Sequence, residues 1–437
     1  MIKSSLAISL RELKNNMQIV SLIHDVLKKI VIDGVPFNLA IKNEFRNGKN
    51  DLSFKKDVAL NVGCTLRHYL VFNEIITRFT SEELQEEKKL ALMILLSDFL
   101  FIKRLDENEK YSFIEEAFKD IKSVEEIKAL INEYVKGKNL IPDDYPFESN
   151  EFLSFRYNTP LWLVKMWKKH YGYHLCKKIL KANSRSSYVY CRINNSKTKE
   201  VFLAENSDFG DTSLANDMVI YNGRSPLKDL EIYKSGDIFP FKTSIKNLFD
   251  RLDLDPIKGI AYYAGFVNLF YLEIMAKFSK NVAFDYIAGQ SQAYFDAKKV
   301  FNYYGLKNVR LYEEKITSLE TILSNKVHTF FVLPLNSNFS LLRNTPDYFL
   351  RFKKEMLDEL IQGEFDSLNE ASKFVEDGGD LVYIIPTISY KESHGVVEKF
   401  LLGNNQFSLL EEKQYLPCDD FDSSVYFAIL RKNSKND

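Results

Sequence analysis

The chain has 437 residues, of which 45% are hydrophobic and 27% charged, and these values argue against wholesale disorder and fibrous architecture. At about 150 residues per domain, the length suggests roughly three domains. Lysine and arginine number 59 against 60 aspartate and glutamate, so a signal for nucleic-acid binding must be local. The four cysteines are far apart and form no CxxC pair, which argues against a disulfide framework and fits a reducing cytoplasm.

Residues 1–140 are predicted to form an all-helical domain. Hydrophobic residues recur there at spacings near 3.6, while glycine and proline are scarce. We expect five to seven packed helices, followed by a linker that contains Pro142 and Pro146. No stretch has the form of a secretion signal or the length of a membrane span, so we expect a cytoplasmic protein with no membrane partner.

Two further domains are predicted after the linker. Residues 150–232 combine one long helix with short strand-like stretches such as SYVYCRIN and MVIY, which indicates a small α/β module. Residues 233–437 alternate helix-like and strand-like segments, which predicts a doubly wound, Rossmann-like α/β sheet. The last strand, VYFAILR, follows a loop too short for a crossover helix and should pair antiparallel.

Several stretches resemble one known family. They are RYNTPLWLVKMWKKHYG, CRINNSKT, GLKNVRLYEE, LLRNTPD and GGDLVYIIPT, and they occur in the family's order. They resemble the Sun/RsmB-type ribosomal RNA cytosine-C5 methyltransferases, whose first domain is similar to the antitermination factor NusB. The resemblance implies a NusB-like helical domain, a small RNA-contacting module and a Rossmann-like methyltransferase domain that uses S-adenosylmethionine.

The resemblance also implies where catalytic residues should lie. Cytosine C5 is a poor nucleophile until a thiolate adds to C6, so the family uses an activated cysteine, and a second cysteine assists product release. In this sequence Asn336 and Pro386 occupy those two places, and Leu333 replaces the base-contacting aspartate. We therefore assign no catalytic residue. Cys418, in the loop before the last strand, would be a displaced nucleophile, but a lone loop cysteine is unremarkable.

The cofactor motif is similarly eroded. The family's glycine-rich turn after the first strand corresponds to GIAYYAGFVNL, which keeps Gly265 but places Tyr262, Tyr263 and Phe266 around it. Asp285, ending the strand-like NVAFD, matches the acidic residue that the family uses on the ribose, although an acid there is often only a helix N-cap or turn former. Gly265 and Asp285 are the candidate cofactor residues, but conventional S-adenosylmethionine binding is disfavoured.

The local charge indicates RNA. Residues 151–200 contain 11 basic side chains against Glu151 and Glu200, a net charge of +9. Such a run is often only a solvated face, but it falls in the stretch that resembles the family's RNA-contacting module. His170 and His174 have the spacing of helical metal ligands, but no third ligand is near and no metal site is predicted. The predicted RNA-binding residues are Arg156, Lys165, Lys168, Lys169, Arg192 and Arg343.

Three functions remain open at this point. The first is a catalytically degenerate family member that binds structured RNA, most plausibly ribosomal. The second is a working RNA methyltransferase with a rearranged site. The third is a protein-interaction scaffold in which the helical domain contacts a partner. The missing thiols disfavour the second, and the basic stretch disfavours the third.

Overall fold

The computed structural model describes residues 2–48, 50–80, 83–106, 109, 124–185, 188–194, 197–212, 215–223, 225–252, 254, 256–274, 283–419 and 424–434. The chain forms two compact units. The first comprises Met1–Arg185 with Leu342–Lys353, and the second comprises Ser186–Leu341 with Lys354–Asp437. The boundary after Arg185 falls inside the predicted module of residues 150–232, and the three predicted domains stay a prediction.

The first unit is helical in its described residues, as predicted. Val26 and Leu27 lie one turn before Ile30 on the first helix, and all three are fully buried because this spacing puts them on one face. The carboxylate of Asp347, also fully buried, accepts from the backbone N–H of Phe37 at 3.1 Å, which ties residues 342–353 to this unit. The helices are α1 (Ile2–Val31), α2 (Phe37–Glu44), α3 (Lys55–Arg67), α4 (Tyr69–Phe79), α5 (Glu86–Ser97), α6 (Val124–Val135), α7 (Asn150–Arg156), α8 (Leu161–Asn183) and the later α13 (Tyr348–Arg351).

Helix α8 is kinked at one glycine. Gly172 does not end this helix but kinks it, with φ of 71° and ψ of 169°. Only glycine adopts such a conformation easily. Because the kink lies between His170 and His174, the two rings do not have the spacing of a regular helix. The described residues contain no group of three or more side chains able to hold a metal ion.

The second unit begins with a small antiparallel sheet of order β2-β3-β1-β4. Its buried face is apolar and includes Cys191, Val219 and Ile238, which pack with Phe202 of a covering helix. Short strands were expected in this region, whereas the long helix predicted for the same module, α8, belongs to the first unit. The elements are β1 (Val189–Ile193), α9 (Lys199–Glu205), β2 (Phe209–Asp211), β3 (Met218–Tyr221), α10 (Glu231–Lys234) and β4 (Ile238–Pro240).

A seven-stranded sheet of order β10-β11-β9-β8-β5-β6-β7 forms the rest of this unit. All neighbouring strands from β9 to β7 are parallel, and β11 is inserted antiparallel between β9 and β10. The predicted antiparallel last strand is thus confirmed. The elements are α11 (Thr243–Phe249), β5 (Ile260–Ala264), β6 (Phe284–Ala288), α12 (Ser291–Tyr304), β7 (Val309–Glu313), β8 (Val327–Leu333), α14 (Met356–Ser372), β9 (Val375–Ile385), α15 (His394–Gly403), β10 (Phe407–Tyr415) and β11 (Val425–Lys432).

The strand order determines where a ligand would bind. Successive strands run outward from β5 in one direction through β6 and β7, and then in the other direction from β8. The order therefore reverses between β5 and β8. Doubly wound sheets bind ligands in the crevice outside the carboxyl ends of the strands at such a reversal. The loops that begin at Gly265 and after Leu333 therefore border the candidate ligand-binding site.

Candidate functional site

The two loops at the reversal are in direct contact. The backbone N–H of Gly265 donates to the carbonyl of Leu333 at 2.7 Å. A side chain on Gly265 would place its Cβ 2.5 Å from the nitrogen of Leu335 and 2.8 Å from the carbonyl carbon of Pro334. Backbone atoms cannot yield to such an approach, so packing alone requires glycine here. The backbone N–H of Gly265 is therefore not available to a phosphate or carboxylate of a ligand, because it donates to Leu333.

Two tyrosines of β5 lie on opposite faces of the sheet. Tyr262 is fully buried, stacks on Tyr286 with ring centroids 5.4 Å apart, and donates its hydroxyl to Asn268 at 2.6 Å. Tyr263 packs in the hydrophobic core on the opposite face of the sheet. Its hydroxyl lies so close to Gly289 that a Cβ on Gly289 would collide with it. Burial raises the pKa of both hydroxyls. Tyr263 therefore covers the carboxyl end of β6, where a doubly wound sheet would expose space to a nucleotide.

Asp285 does not lie where the sequence resemblance placed it. The expectation that it ends its strand is wrong, because β6 continues to Ala288 and Asp285 pairs in register with Ala261. Gly265 follows Ala264, which is in register with Ala288, so Asp285 is three residues from the carboxyl edge, about 10 Å. It is only 2% exposed and accepts from the Arg310 guanidinium at 2.6 Å. It is neither an N-cap nor placed to contact a ribose at that edge.

The two catalytic places of the resembled family hold residues with structural roles. The Asn336 amide donates to the carbonyl of Pro334 at 2.9 Å and accepts from the N–H of Asn338 at 2.7 Å, which shapes the turn after β8. Pro386 follows β9, and its carbonyl accepts from the N–H of Ser340 at 3.2 Å. Neither side chain is a nucleophile.

The four cysteines all lie outside the two catalytic places of the resembled family. Cys176 and Cys191 are buried, which raises their pKa to about 11 and about 12 and disfavours the reactive thiolate. Cys64 belongs to the helical unit. Cys418 follows β10, three strand positions from β8, a separation of about 14 Å. In the turn after β10 the thiol of Cys418 lies 3.9 Å from a carboxylate oxygen of Asp419.

A buried acidic cluster lies behind the loops after β8 and β9, and the sequence analysis missed it. Glu392 accepts from the N–H and hydroxyl of Ser337 at 2.7 and 2.8 Å and from the hydroxyl of Thr387 at 2.9 Å. Glu364 is also fully buried, and among the described residues neither of its oxygens has a hydrogen-bond partner in good geometry. Burial, followed by the charge of Glu392, raises the pKa of Glu364 well above its usual value. The sequence signal was the position of Glu364 between Leu357 and Leu368 on the apolar stripe of α14.

The predicted RNA-binding residues of the helical unit lie near one another in sequence and are largely accessible. Lys165 and Lys169 are exposed, one turn apart on α8, and Arg156 is exposed at the end of α7. Lys168 is half-buried, donates to the Asn150 side chain at 3.1 Å and lies 5.6 Å from the centre of the Tyr173 ring. The guanidinium of Arg343 donates to the carbonyl of Arg185 at 3.0 Å.

Arg192 requires a correction. It lies in β1 of the second unit and is buried, with ion pairs to Glu273 and, at 3.1 Å, to Asp217. A guanidinium held by two carboxylates in a buried site is not available to a phosphate. Arg192 therefore stabilises the second unit, and we remove it from the RNA-binding set.

The helical unit also contains a polar cavity of about 400 Å³. Arg67, Arg156, Lys181 and Arg185 line it, together with uncharged polar and apolar side chains. Of these four, only Arg156 is among the predicted RNA-binding residues; Lys181 and Arg185 belong to the same basic stretch, whereas Arg67 is distant from it in sequence.

Within the described ranges, every helix is too short or too polar to cross a bilayer.

The strand order, the reversed last strand and the preceding helical part together define a Rossmann-like methyltransferase fold with an N-terminal helical extension. Among solved structures, PH0851 is similar over 94% of this chain and 99% of its own, with a TM-score of 0.72 and 15% identity. NSun6 from Pyrococcus horikoshii with SFG is similar over 62% of this chain and 98% of its own, with a TM-score of 0.55 and 13% identity.

A third structure, a methyltransferase homolog protein from Pyrococcus horikoshii, covers 64% of this chain and 97% of its own, with a TM-score of 0.54 and 12% identity. No protein-family model matches the chain. No curated protein matches it either. At these identities the likeness establishes the fold, and the function has to be argued from the residues.

Proposed function

We propose that this protein is an RNA-binding member of the Sun/RsmB-type methyltransferase family that no longer methylates cytosine. The observation that carries the proposal is the absence of a thiol at the two catalytic places, where Asn336 and Pro386 make structural hydrogen bonds. Methylation at C5 of cytosine begins with a thiolate adding to C6, and an amide or a proline ring cannot form that adduct. The fold shared with PH0851 and NSun6 supports the family.

The residues at the reversal point do not fit S-adenosylmethionine in its usual place. The backbone N–H of Gly265 already donates to the carbonyl of Leu333. Tyr263 covers the carboxyl end of β6, and Asp285 is paired with Arg310, away from the carboxyl edge of the sheet. The cofactor would need both the space and an acid at the end of β6 for its ribose. We therefore propose no reaction step that uses S-adenosylmethionine at this position.

The basic side chains of the helical unit support RNA as the ligand. Lys165 and Lys169 project from one face of α8. Lysine contacts to phosphates give affinity with little sequence information, because all RNAs present the same backbone. We propose that the ligand is structured ribosomal RNA, and that RNA binding was retained when catalysis was lost.

One experiment tests both parts of this proposal. A labelled ribosomal RNA hairpin is titrated with the purified protein and followed by fluorescence anisotropy, and the same mixture is assayed for methyl transfer from S-adenosylmethionine. We expect saturable, salt-sensitive binding and no transfer. Transfer that disappears in the Cys418→Ser variant would favour the rearranged enzyme, and an absence of binding at low salt would favour the scaffold.

A protein-interaction role for the helical unit is the second candidate. Leu52 is 65% exposed and Leu60 is 58% exposed, and Leu39 is also exposed. Exposed apolar side chains mark a contact with another protein where they form one contiguous patch. This role is compatible with RNA binding. It becomes the main role if substitution of the basic residues leaves RNA affinity unchanged.

A further inference from the structure

The cavity in the helical unit lies where three helices end. Arg67 is the last residue of α3, Arg156 is the last residue of α7, and Lys181 is in the last turn of α8, which Arg185 follows. Among the described residues, no carboxylate lines this cavity. Four positive side chains thus face one space without an acidic partner in its lining.

The helix ends do not account for this charge. A helix carboxyl end carries about half a negative charge, which favours a cation in the last turn. Three such ends fall well short of four full positive charges, and the Asn158 side chain already donates to one α3 carbonyl, that of Leu66, at 2.8 Å. The cavity therefore keeps a net positive potential that an anion would neutralise.

Arg67 carries the clearest sign of a missing partner. Its side chain is partly buried, and no described carboxylate pairs with it. Burial lowers the pKa of this guanidinium, which means that its charge is incompletely solvated. Buried charges in proteins are normally paired, so an external anion is the natural counterion.

His68 is suited to the same environment as a neutral group. Its pKa is lowered by burial and also by the charges of Arg67 and Arg156. The ring atom Nδ1 lies 2.9 Å from the carbonyl of Cys64 and carries the hydrogen, because a carbonyl can only accept. The ring therefore adds no fifth positive charge, and its Nε2 is left as an acceptor.

The rest of the lining is uncharged and combines apolar, amide and hydroxyl side chains. Leu342, Pro346 and Phe349 come from the segment 342–353, and Asn158 and Asn183 contribute amides. A cavity of about 400 Å³ lies within the range of about 300–1,000 Å³ typical of small-molecule sites. It is larger than a lone phosphate needs, and aromatic surface beside cations is the combination that holds a nucleotide.

We propose that this cavity binds one unpaired nucleotide of an RNA, with its phosphate against Arg67, Arg156 and Arg185 and its base against Phe349. The inference rests on the proposed RNA binding and adds a discrete site to the surface lysines of α8. A terminal 5′-phosphate and an internal phosphodiester offer the same chemistry, and the experiment separates them.

The test uses the full chain and a ten-nucleotide single-stranded RNA carrying either a 5′-phosphate or a 5′-hydroxyl. In the double variant Arg67→Gln, Arg156→Gln, affinity should fall at least tenfold and the salt slope should drop by about 1.4, since each phosphate contact to a single strand contributes about 0.7. The Phe349→Ala variant should lose affinity with an unchanged slope. Tighter binding of the 5′-phosphate form identifies a terminal phosphate, and equal binding identifies an internal one.

Two controls separate this inference from the proposed function. Lys326→Gln removes an exposed charge from the second unit and should leave binding unchanged. Arg67→Lys with Arg156→Lys keeps the charge and should restore most of the affinity, which excludes misfolding as the cause. Wild-type affinity in the double glutamine variant overturns the cavity proposal alone, whereas a wild-type protein that binds no RNA overturns both.

Discussion

The backbone N–H of Gly265 lies 2.7 Å from the carbonyl oxygen of Leu333, and this bond joins the loops after β5 and β8 across the reversal point of the sheet. In a doubly wound fold this is the crevice that receives the ligand. The residue that a cofactor motif would use for space is here used to let two stretches of backbone approach each other.

A Gly265→Ala substitution should therefore destabilise the second unit. The added Cβ would meet the backbone of Pro334 and Leu335 at 2.8 and 2.5 Å, and overpacking of this kind costs about 1–3 kcal/mol. Urea unfolding followed by circular dichroism gives the change. Gly363→Ala is the matched control, because this helical glycine has nothing within 4 Å, and alanine there should stabilise by about 0.5–1 kcal/mol. Equal effects of the two substitutions would contradict the packing argument.

The cofactor prediction is tested by calorimetry. Titration of the purified protein with S-adenosylmethionine, and separately with S-adenosylhomocysteine, should give no saturable heat, because Tyr263 covers the end of β6 and Asp285 is bound to Arg310. Saturable binding that survives in Asp285→Asn would place the cofactor elsewhere in the molecule. Binding that this variant abolishes would show that the Asp285 carboxylate leaves Arg310 for the ligand.

RNA binding should respond to the exposed face of α8. Charge reversal at Lys165 and Lys169 should weaken binding to different structured RNAs about equally and flatten the salt dependence, since each lost phosphate contact removes roughly 0.7–0.9 from the slope of log affinity against log salt. Anisotropy titrations at several salt concentrations measure both effects. Lys168 is a poorer choice because it also donates to Asn150. A variant with reversed charge at Lys326 serves as the control. An effect of equal size in that variant would mean that the net charge of the protein, and not the α8 face, determines RNA affinity.

The fold was predictable because its signals are local. Val26, Leu27 and Ile30 repeat at the helical period, and the short loop before VYFAILR leaves no room for a crossover helix, so an antiparallel last strand follows. The mistaken expectations concerned relations between distant residues. The stretch NVAFD places Asp285 at an apparent strand end, but pairing with β5 and β7 extends the strand to Ala288.

The number of charged side chains in a segment was predictable from the sequence, but their partners in the folded protein were not. Arg192 belongs to the basic stretch by sequence, yet Glu273, 81 residues away, holds it in the interior. Conversely, Arg67 lies far from that stretch and still lines the same cavity as Arg156 and Arg185. Sequence alone counts the charges of a segment, whereas the fold decides which of them meet a carboxylate and which face an open space.

The last prediction concerns Glu364, whose buried carboxyl faces Glu392 behind the loops after β8 and β9. Burial and the second carboxyl raise the pKa of Glu364 in the folded state above its value in the unfolded chain. The folded state then holds a proton that the unfolded state has lost, so stability falls as pH rises from about 4.3, the usual pKa of a glutamate, through the folded value.

The Glu364→Gln variant removes this titration, and its amide can donate to Glu392. We expect a gain of about 1–3 kcal/mol at pH 8, the cost of an unsatisfied buried polar group, and little gain at pH 4. Urea unfolding at the two pH values measures the difference. Glu359→Gln, at an exposed position of the same helix, should change stability little at either pH. A Glu364→Gln variant less stable than the wild type at pH 8 would mean that the charged carboxylate has a partner that stabilises it.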